Sequence, residues 1–339
     1  MLDVSLYCIG KTAHLSMPVT GFLMLQEQKK LRLKWEIDRE NRRGYPYLPL
    51  LGVDVSGKRI VLDLADGYDM PPGELAQAAG QSDYYFRRSF SEEENAVLPA
   101  FLQRKMYPLG FHYHVSWPGN FMDSIGGKGG LKDEVFQIVF NGAPRRYFTP
   151  EKFEAPPKRS ETPSILFYTR LWKPYEESVA RLNEERIHLV RMLKKRYGRW
   201  FTGGIQYSPL AMKMCRELVV GVAKTRRRSY LHTLHQADIC IGTIGLHRSV
   251  GWKTAEYISA SKAIINESIP YEVPGNFQNG QNYLPFTGIE ECCTQIEYLL
   301  GHPRKVYEMK CANADYYQKY LRPDRLIANM LKRVFPGFL

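Results

Sequence analysis

From Ser164 onward short apolar runs alternate with amphipathic stretches long enough for helices, with no internal sequence repeat. The runs are Ser164–Thr169, Arg199–Gly204, Ala237–Gly242 and Lys262–Asn266. Glu176–Tyr197, Ser229–Gln236, Lys253–Ser261 and Ile289–Gly301 carry helical spacing. Apolar runs buried on both faces and separated by helices predict a parallel sheet with crossover helices on either side. Gly203-Gly204 ends the second run and is read as a turn, or as a close approach of ligand or backbone.

The first half is less regular. Val4–Ile9 reads as a strand, Gly21–Lys30 as a helix and Leu31–Ile37 as a half-buried strand. Arg59–Gly67, Asp83–Phe86 and Phe111–Val115 read as further strands. Ser124–Gly130 reads as a glycine-rich loop, and Lys132–Asn141 as a helix or strand. Its Gly126-Gly127-Lys128-Gly129-Gly130 lacks the GK[ST] ending of a P-loop. Between the halves, Ala155–Pro163 holds three prolines in polar surroundings, the composition of a linker. The expected division is 1–155, 156–315, and a C-terminal helical segment 316–339, broken at Pro323, that crosses back to brace the first domain.

A chain of 339 residues with 44% hydrophobic and 24% charged residues has material for two packed cores and is neither fibrous nor disordered. No apolar stretch is long enough to span a membrane, and Met1–Cys8 lacks the marks of a signal peptide. The six cysteines show neither CxxC pairing nor disulfide-scaffold density. A reduced cytoplasmic protein is the expectation. Charge is divided unevenly. Residues 1–155 hold 19 Lys+Arg against 19 Asp+Glu, and residues 156–339 hold 28 against 16, so the whole surplus of +12 lies in the second half. Such a surplus suits a nucleic acid, an anionic membrane surface or a phosphorylated ligand. Part of it is ordinary helix-end charge, as in Arg191–Gly198. Arg226-Arg227-Arg228 with Lys224 makes a denser cationic spot.

The segment Ala237–Ile265 carries the chemistry. A strand ends in a loop with Thr243, Gly245, His247, Arg248 and Ser249, and that loop opens a helix bearing Lys253, Thr254 and Glu256. Small residues let backbone N–H groups approach an anion, and a helix N-terminus favours a phosphate. Lys253 adds charge, and Glu256 is placed to accept from a ribose diol. Loop, lysine and carboxylate in this order suit a nucleoside diphosphate.

The segment resembles the donor-binding motif of GT-B glycosyltransferases, especially those related to glycosyltransferase family 4, over roughly residues 164–290. In those enzymes an "AD" strand, a variable loop, a helix with a nucleotide-binding glutamate and a "K-x-I-I" strand follow one another. Here Ala237-Asp238, Glu256 and Lys262-Ala263-Ile264-Ile265 take those places. The resemblance implies two Rossmann-like domains facing across a cleft, with Glu256 on the ribose. Where many members carry an earlier glutamate this chain has Arg248, which departs from the paired-glutamate pattern and leaves a diphosphate role for that arginine. The resemblance also implies a basic pair after the first strand of the donor domain, placed to neutralise the leaving diphosphate without a metal. Arg170 and Lys173 sit there, the alternative being plain strand-end charges.

In the first half, Asp63, Asp66 and Asp69 are expected at a strand end facing the cleft, as a general base (Asp66 above all) or as a capping cluster. His14, after the first strand, also points toward the cleft. His112 and His114 lie two apart and suit a structural role. No metal ligand set is read and no cofactor is expected.

The expected activity is transfer of a sugar from a nucleotide-sugar donor to a saccharide or lipid-linked saccharide, in bacterial capsule, O-antigen or exopolysaccharide assembly. The expected place is the cytoplasm, with peripheral contact at the anionic inner face of the cell membrane. The alternatives are a nucleotide-sugar epimerase or hydrolase of similar fold, and a basic nucleic-acid-binding protein. For the last, neither a docking motif nor interleaved aromatic and basic residues is found.

Overall fold

The computed structural model describes residues 1–122 and 148–338. The glycine-rich stretch 126–130 and the segment 132–141 lie outside the described residues. Two six-stranded sheets organise the chain. The first is built from β1 (Leu2–Cys8), β2 (Leu31–Ile37), β3 (Leu50–Val55), β4 (Lys58–Asp63), β5 (Tyr84–Arg87) and β6 (Met106–Pro108), in the order β2-β1-β3-β4-β5-β6. The second uses β7 (Ile165–Thr169), β8 (Phe201–Gln206), β9 (Val219–Val220), β10 (Ile239–Gly242), β11 (Ala263–Glu267) and β12 (Tyr283–Phe286), in the order β12-β11-β10-β7-β8-β9.

Every pairing in the second sheet is parallel. Its inner strands β7, β10 and β11 are almost wholly buried, as expected for strands covered by helices on both faces. The order reverses between β7 and β10. Loops leaving their carboxyl ends therefore diverge to opposite faces and open a crevice.

The first sheet departs from the all-parallel pattern, because β3 is antiparallel to both β1 and β4. Nothing in the sequence reading anticipates β3. Its turn, Ser56-Gly57, has φ of 48° and 75°, the two left-handed residues that close a two-residue hairpin. A hairpin that short permits only antiparallel pairing.

Two expected elements differ. Phe111–Val115 is largely buried but joins no ladder among the described residues, and side chains take two of its carbonyls. Val115 O accepts from Ser16 Oγ (2.7 Å) and His114 O from Arg227 Nη2 (2.6 Å). Gly203-Gly204 is not a turn either, since β8 runs straight through it. A Cβ at Gly203 would strike the Phe167 carbonyl on β7, and one at Gly204, where φ is +147°, would strike Val220 on β9. The sheet's own neighbours require both glycines.

One apolar cluster crosses between the domains through Tyr113, Phe153, Tyr230, Tyr257 and Tyr317. Separate clusters fill the far face of each sheet. After the helix Pro303–Tyr316, a wide turn at Tyr317–Leu321 redirects the chain. The helix Pro323–Val334 then lies against Ser16–Glu27 of the first domain. Gly21 allows that contact, for a Cβ there would meet the Pro323 carbonyl oxygen. Among the described residues no helix is long and apolar enough to cross a membrane.

Candidate functional site

A cavity of about 670 Å³ opens where the order of the second sheet reverses. Its floor is the carboxyl ends of β7 (Tyr168, Thr169, Arg170) and β10 (Ile241, Thr243), with Gln206 from β8. His14, Asp66, Arg88 and His114 of the first domain form the opposite wall. The helix Trp252–Ser259 starts at its edge, capped by Gly251.

The cations dominate its electrostatics. The Arg170 guanidinium stacks on the Trp172 ring at 3.8 Å, and Lys253 Nζ lies 4.2 Å from the centre of the Tyr230 ring. Burial pushes both below their ordinary pKa values. They are close enough that Arg170 lowers Lys253 further. Among the described residues neither makes an ion pair with a carboxylate. Lys253 feels Glu256 at longer range, but both Glu256 oxygens are already engaged. Oε1 accepts from Arg227 Nη1 and Oε2 from the Tyr230 hydroxyl, each at 2.6 Å. Burial alone would raise the Glu256 pKa, yet Arg227 and Lys253 outweigh it and hold the carboxyl below its usual range. Glu256 is therefore an ionised, 3% exposed side chain with its hydrogen bonds satisfied from within.

Arg186 sits behind this group. It donates to the carbonyls of Arg170 and Ile244, each at 2.9 Å, so it ties together the loops that leave β7 and β10. Burial lowers its pKa to about 10.

Several expected residues lie elsewhere. Lys173 is exposed and does not line the cavity. Leu171 is buried and the Trp172 backbone is held at both ends by Asn183 (2.9 and 2.7 Å), which leaves Lys173 facing solvent. Lys253 stands with Arg170 in its place. Gly204 is a sheet glycine outside the cavity. Thr254 is buried behind the helix start and donates to Asn266 Oδ1 at 2.9 Å. His247 and Arg248, both with φ of 56°, cap a hairpin closed by Gly245 N–H donating to Ser249 O at 2.7 Å. They reach the first domain rather than the cavity: His247 pairs with Asp69 and Arg248 lies 3.8 Å from Glu94. Thr243, Gly245, Ser249, Lys253 and Glu256 do line it.

The three carboxylates of the first domain separate. Asp63 faces the core, not the cleft, where it pairs with Arg87 and accepts from Tyr47 (3.0 Å) and Tyr85 (2.7 Å). Asp69 goes to His247. Asp66 reaches the cavity, but its carboxylate accepts from Arg88, which also donates to the Val250 carbonyl. His14 is the better-placed proton acceptor there. Its Nδ1 is buried without a partner among the described residues, and burial lowers its pKa despite the pull of Asp66. His112 is buried 5.5 Å from it, ring to ring, and is driven well below the ordinary histidine range by burial and by Arg88, so it is neutral packing. Among the described residues no group of three or more His, Cys, Asp or Glu side chains is arranged to hold a metal ion.

The sequence reading passed over Arg227, Tyr230, Trp172 and Arg186 as site residues. Arg227 was visible only as part of the triple arginine. The i, i+3 spacing of Arg227 and Tyr230 on one helix face was the available signal. The Arg227 partners, Glu256 and the His114 carbonyl, come from different domains.

No protein-family model and no curated protein matches the sequence. Among solved structures it is similar to the C-terminal domain of a glycosyl transferase group 1 family protein (LpcC) from Francisella tularensis, with 12% identity, a TM-score of 0.34, and coverage of 50% of this chain and 95% of that one. A glycosyltransferase from Rickettsia africae ESF-5 is 13% identical with a TM-score of 0.47, covering 82% and 71%. TarM is 11% identical with a TM-score of 0.43, covering 79% of this chain and 48% of that one, so the chain spans about half its length. These likenesses are loose, and the architecture rests on the chain's own strand order. That order, two Rossmann-like domains facing one another across a cleft with a returning C-terminal helix, is the GT-B arrangement.

Proposed function

We propose that the protein is a glycosyltransferase that takes a sugar from a nucleotide-sugar donor bound at the second domain and passes it to a saccharide held against the first. One observation carries this reading. Arg170 and Lys253, two like charges with no ion-pair partner among the described residues, line one cavity at the point where the sheet order reverses. Like charges held side by side in a crevice between low-dielectric walls repel one another and attract an anion that joins them. A diphosphate between Arg170 and Lys253 balances that charge, with Thr243, Gly245 and Ser249 lining its approach.

The same two cations then act on the reaction. As the acceptor oxygen bonds to the anomeric carbon, the bond from that carbon to the phosphate oxygen breaks. Negative charge grows on the departing diphosphate, where fixed cations stabilise it more than they stabilise the bound donor. The acceptor proton goes to His14, whose neutral ring lines the opposite wall. Glu256 takes the ribose hydroxyls, and to do so exchanges its contacts with Arg227 or Tyr230. No metal is required by this scheme. The acceptor is a saccharide or lipid-linked saccharide of a bacterial surface polysaccharide, and the enzyme works in the cytoplasm at the inner face of the membrane.

The test is a thermal-shift screen of UDP, GDP, CMP and nucleotide sugars, since a ligand that binds only the folded chain stabilises it by mass action. A diphosphate is expected to raise the melting temperature, Lys253→Met to abolish that rise, and EDTA to leave turnover intact. The reading fails if no diphosphate shifts melting while Glu256→Ala leaves activity unchanged. Turnover of the donor with no acceptor present would instead reassign the chain to an epimerase or hydrolase.

A further inference from the structure

Charge within the second domain is strongly polarised. Residues 191–228 hold 11 Lys+Arg and a single carboxylate, Glu217, whereas residues 229–301 hold three Lys+Arg against seven Asp+Glu. The fold sets most of the first group beside β8 and β9, while Arg227 turns into the cavity. Arg191 reaches Glu217 at 2.8 Å and Lys194 the Glu217 carbonyl at 3.4 Å, so the end of the helix Glu177–Tyr197 lies beside the turn Arg216–Leu218. That turn leads into β9, the last strand of the sheet. Lys195, one turn beyond Arg191, and Arg199, Lys213, Arg216, Arg226 and Arg228 are all exposed, on the segments that lead into and out of β8 and β9. Arg196 does not belong with them, since it faces Glu290 and Glu297.

Exposed apolar side chains interrupt the cations. Trp200 is 42% exposed beneath the Arg199 guanidinium, Tyr207 is 49% exposed at the end of β8, and Met214 is 40% exposed beside Lys213. Cations attract an anionic surface, while amphipathic aromatic side chains settle at its boundary between water and hydrocarbon. The edge is continuous with the cavity: Gln206 and Thr225 line the cavity, and their neighbours Tyr207 and Arg226 stand outside it. We propose that this β8–β9 edge docks on an anionic lipid bilayer and so holds the cavity mouth at the membrane surface. The proposal deepens the reading of a lipid-linked acceptor and rests on it only for the acceptor's identity. A nucleic acid is the less favoured partner, because helices cover the sheet faces that would serve as stacking platforms and the cations lie on an outer edge rather than along a groove.

Cosedimentation with vesicles tests this. The whole protein is expected to bind phosphatidylcholine vesicles containing phosphatidylglycerol, to ignore pure phosphatidylcholine, and to be released by salt. Combined Lys195→Glu, Arg199→Glu, Lys213→Glu and Arg216→Glu is expected to weaken binding by about tenfold or more. None of these side chains reaches the cavity, so the nucleotide-induced rise in melting temperature stays as in the parent. That readout separates failure of docking from failure of the donor reading. Trp200→Ser is expected to weaken binding while leaving its salt dependence unchanged. Equal binding to neutral vesicles, undiminished binding by the charge-reversed variant, or tighter salt-matched retention on duplex DNA than on anionic vesicles would each overturn the proposal.

Discussion

Arg227→Ala removes the cation that keeps Glu256 ionised. The carboxylate is 3% exposed, and without the guanidinium it retains only the Tyr230 hydroxyl and the more distant Lys253. Deleting one partner of a buried pair costs about 3–5 kcal/mol. Arg227 keeps 21% of its side chain exposed and Tyr230 still donates, so the lower end applies, about 3 kcal/mol. At about 2 °C per kcal/mol for a chain of this size, melting falls by about 6 °C.

The pH dependence fixes the cause. In the parent the folded Glu256 pKa is depressed, so its contribution is present above the unfolded value of about 4.3 and is lost as pH falls through the folded one. In the variant, burial raises the folded pKa above the unfolded one. The deficit is then full well above that raised pKa and shrinks as pH falls through it. Arg227→Ala/Glu256→Gln carries no stranded charge, so it is expected to recover about 1–2 kcal/mol relative to Arg227→Ala alone. Urea unfolding across pH measures all three chains. A deficit that is flat with pH and not relieved by Glu256→Gln would refute the argument.

Other outcomes follow from the same geometry. Lys173→Ala is expected to leave the nucleotide-induced rise in melting temperature unchanged, because Lys173 faces solvent; an equal loss in Lys173→Ala and Lys253→Met would put the diphosphate elsewhere. Gly67→Ala places a Cβ against the His247 carbonyl of the other domain at φ +61°, so equilibrium unfolding should register a loss of at least about 2 kcal/mol. The His14 pKa lies below 6.5, so the ring is neutral at pH 7. The acid limb of kcat/KM is therefore expected below pH 6.5, and His14→Ala should remove that limb with about 10²–10⁴-fold of rate.

Residues that interact along the chain were the legible ones. β7, β10 and β11 are uninterrupted apolar runs, and their helices carry a clear 3.6-residue stripe, so the parallel sheet is legible in the sequence alone. β9 and β12, two and four residues long, lack enough periodicity to be read, and β3 needed its Ser56-Gly57 turn to be recognised as a hairpin. At the site, the loop and helix from Thr243 to Glu256 were found as one segment, since strand, turn and helix start are local patterns.

Which of those side chains face the cavity was another matter. Lys173 and Lys253 are equally cationic in a string of letters. Burial of Leu171 and the grip of Asn183 turn the first outward, while packing over Tyr230 turns the second inward. His247 and Arg248 sit in the same loop as Ser249, yet contact with Asp69 and Glu94 draws them to the opposite domain. Arg227 joins Glu256, 29 positions away, to the His114 carbonyl, 113 positions away. Local spacing encodes strands and helices because their hydrogen bonds close within a few residues. The partner of a charge is set by whichever distant group packing brings within about 3 Å, and that is decided only when the two domains meet.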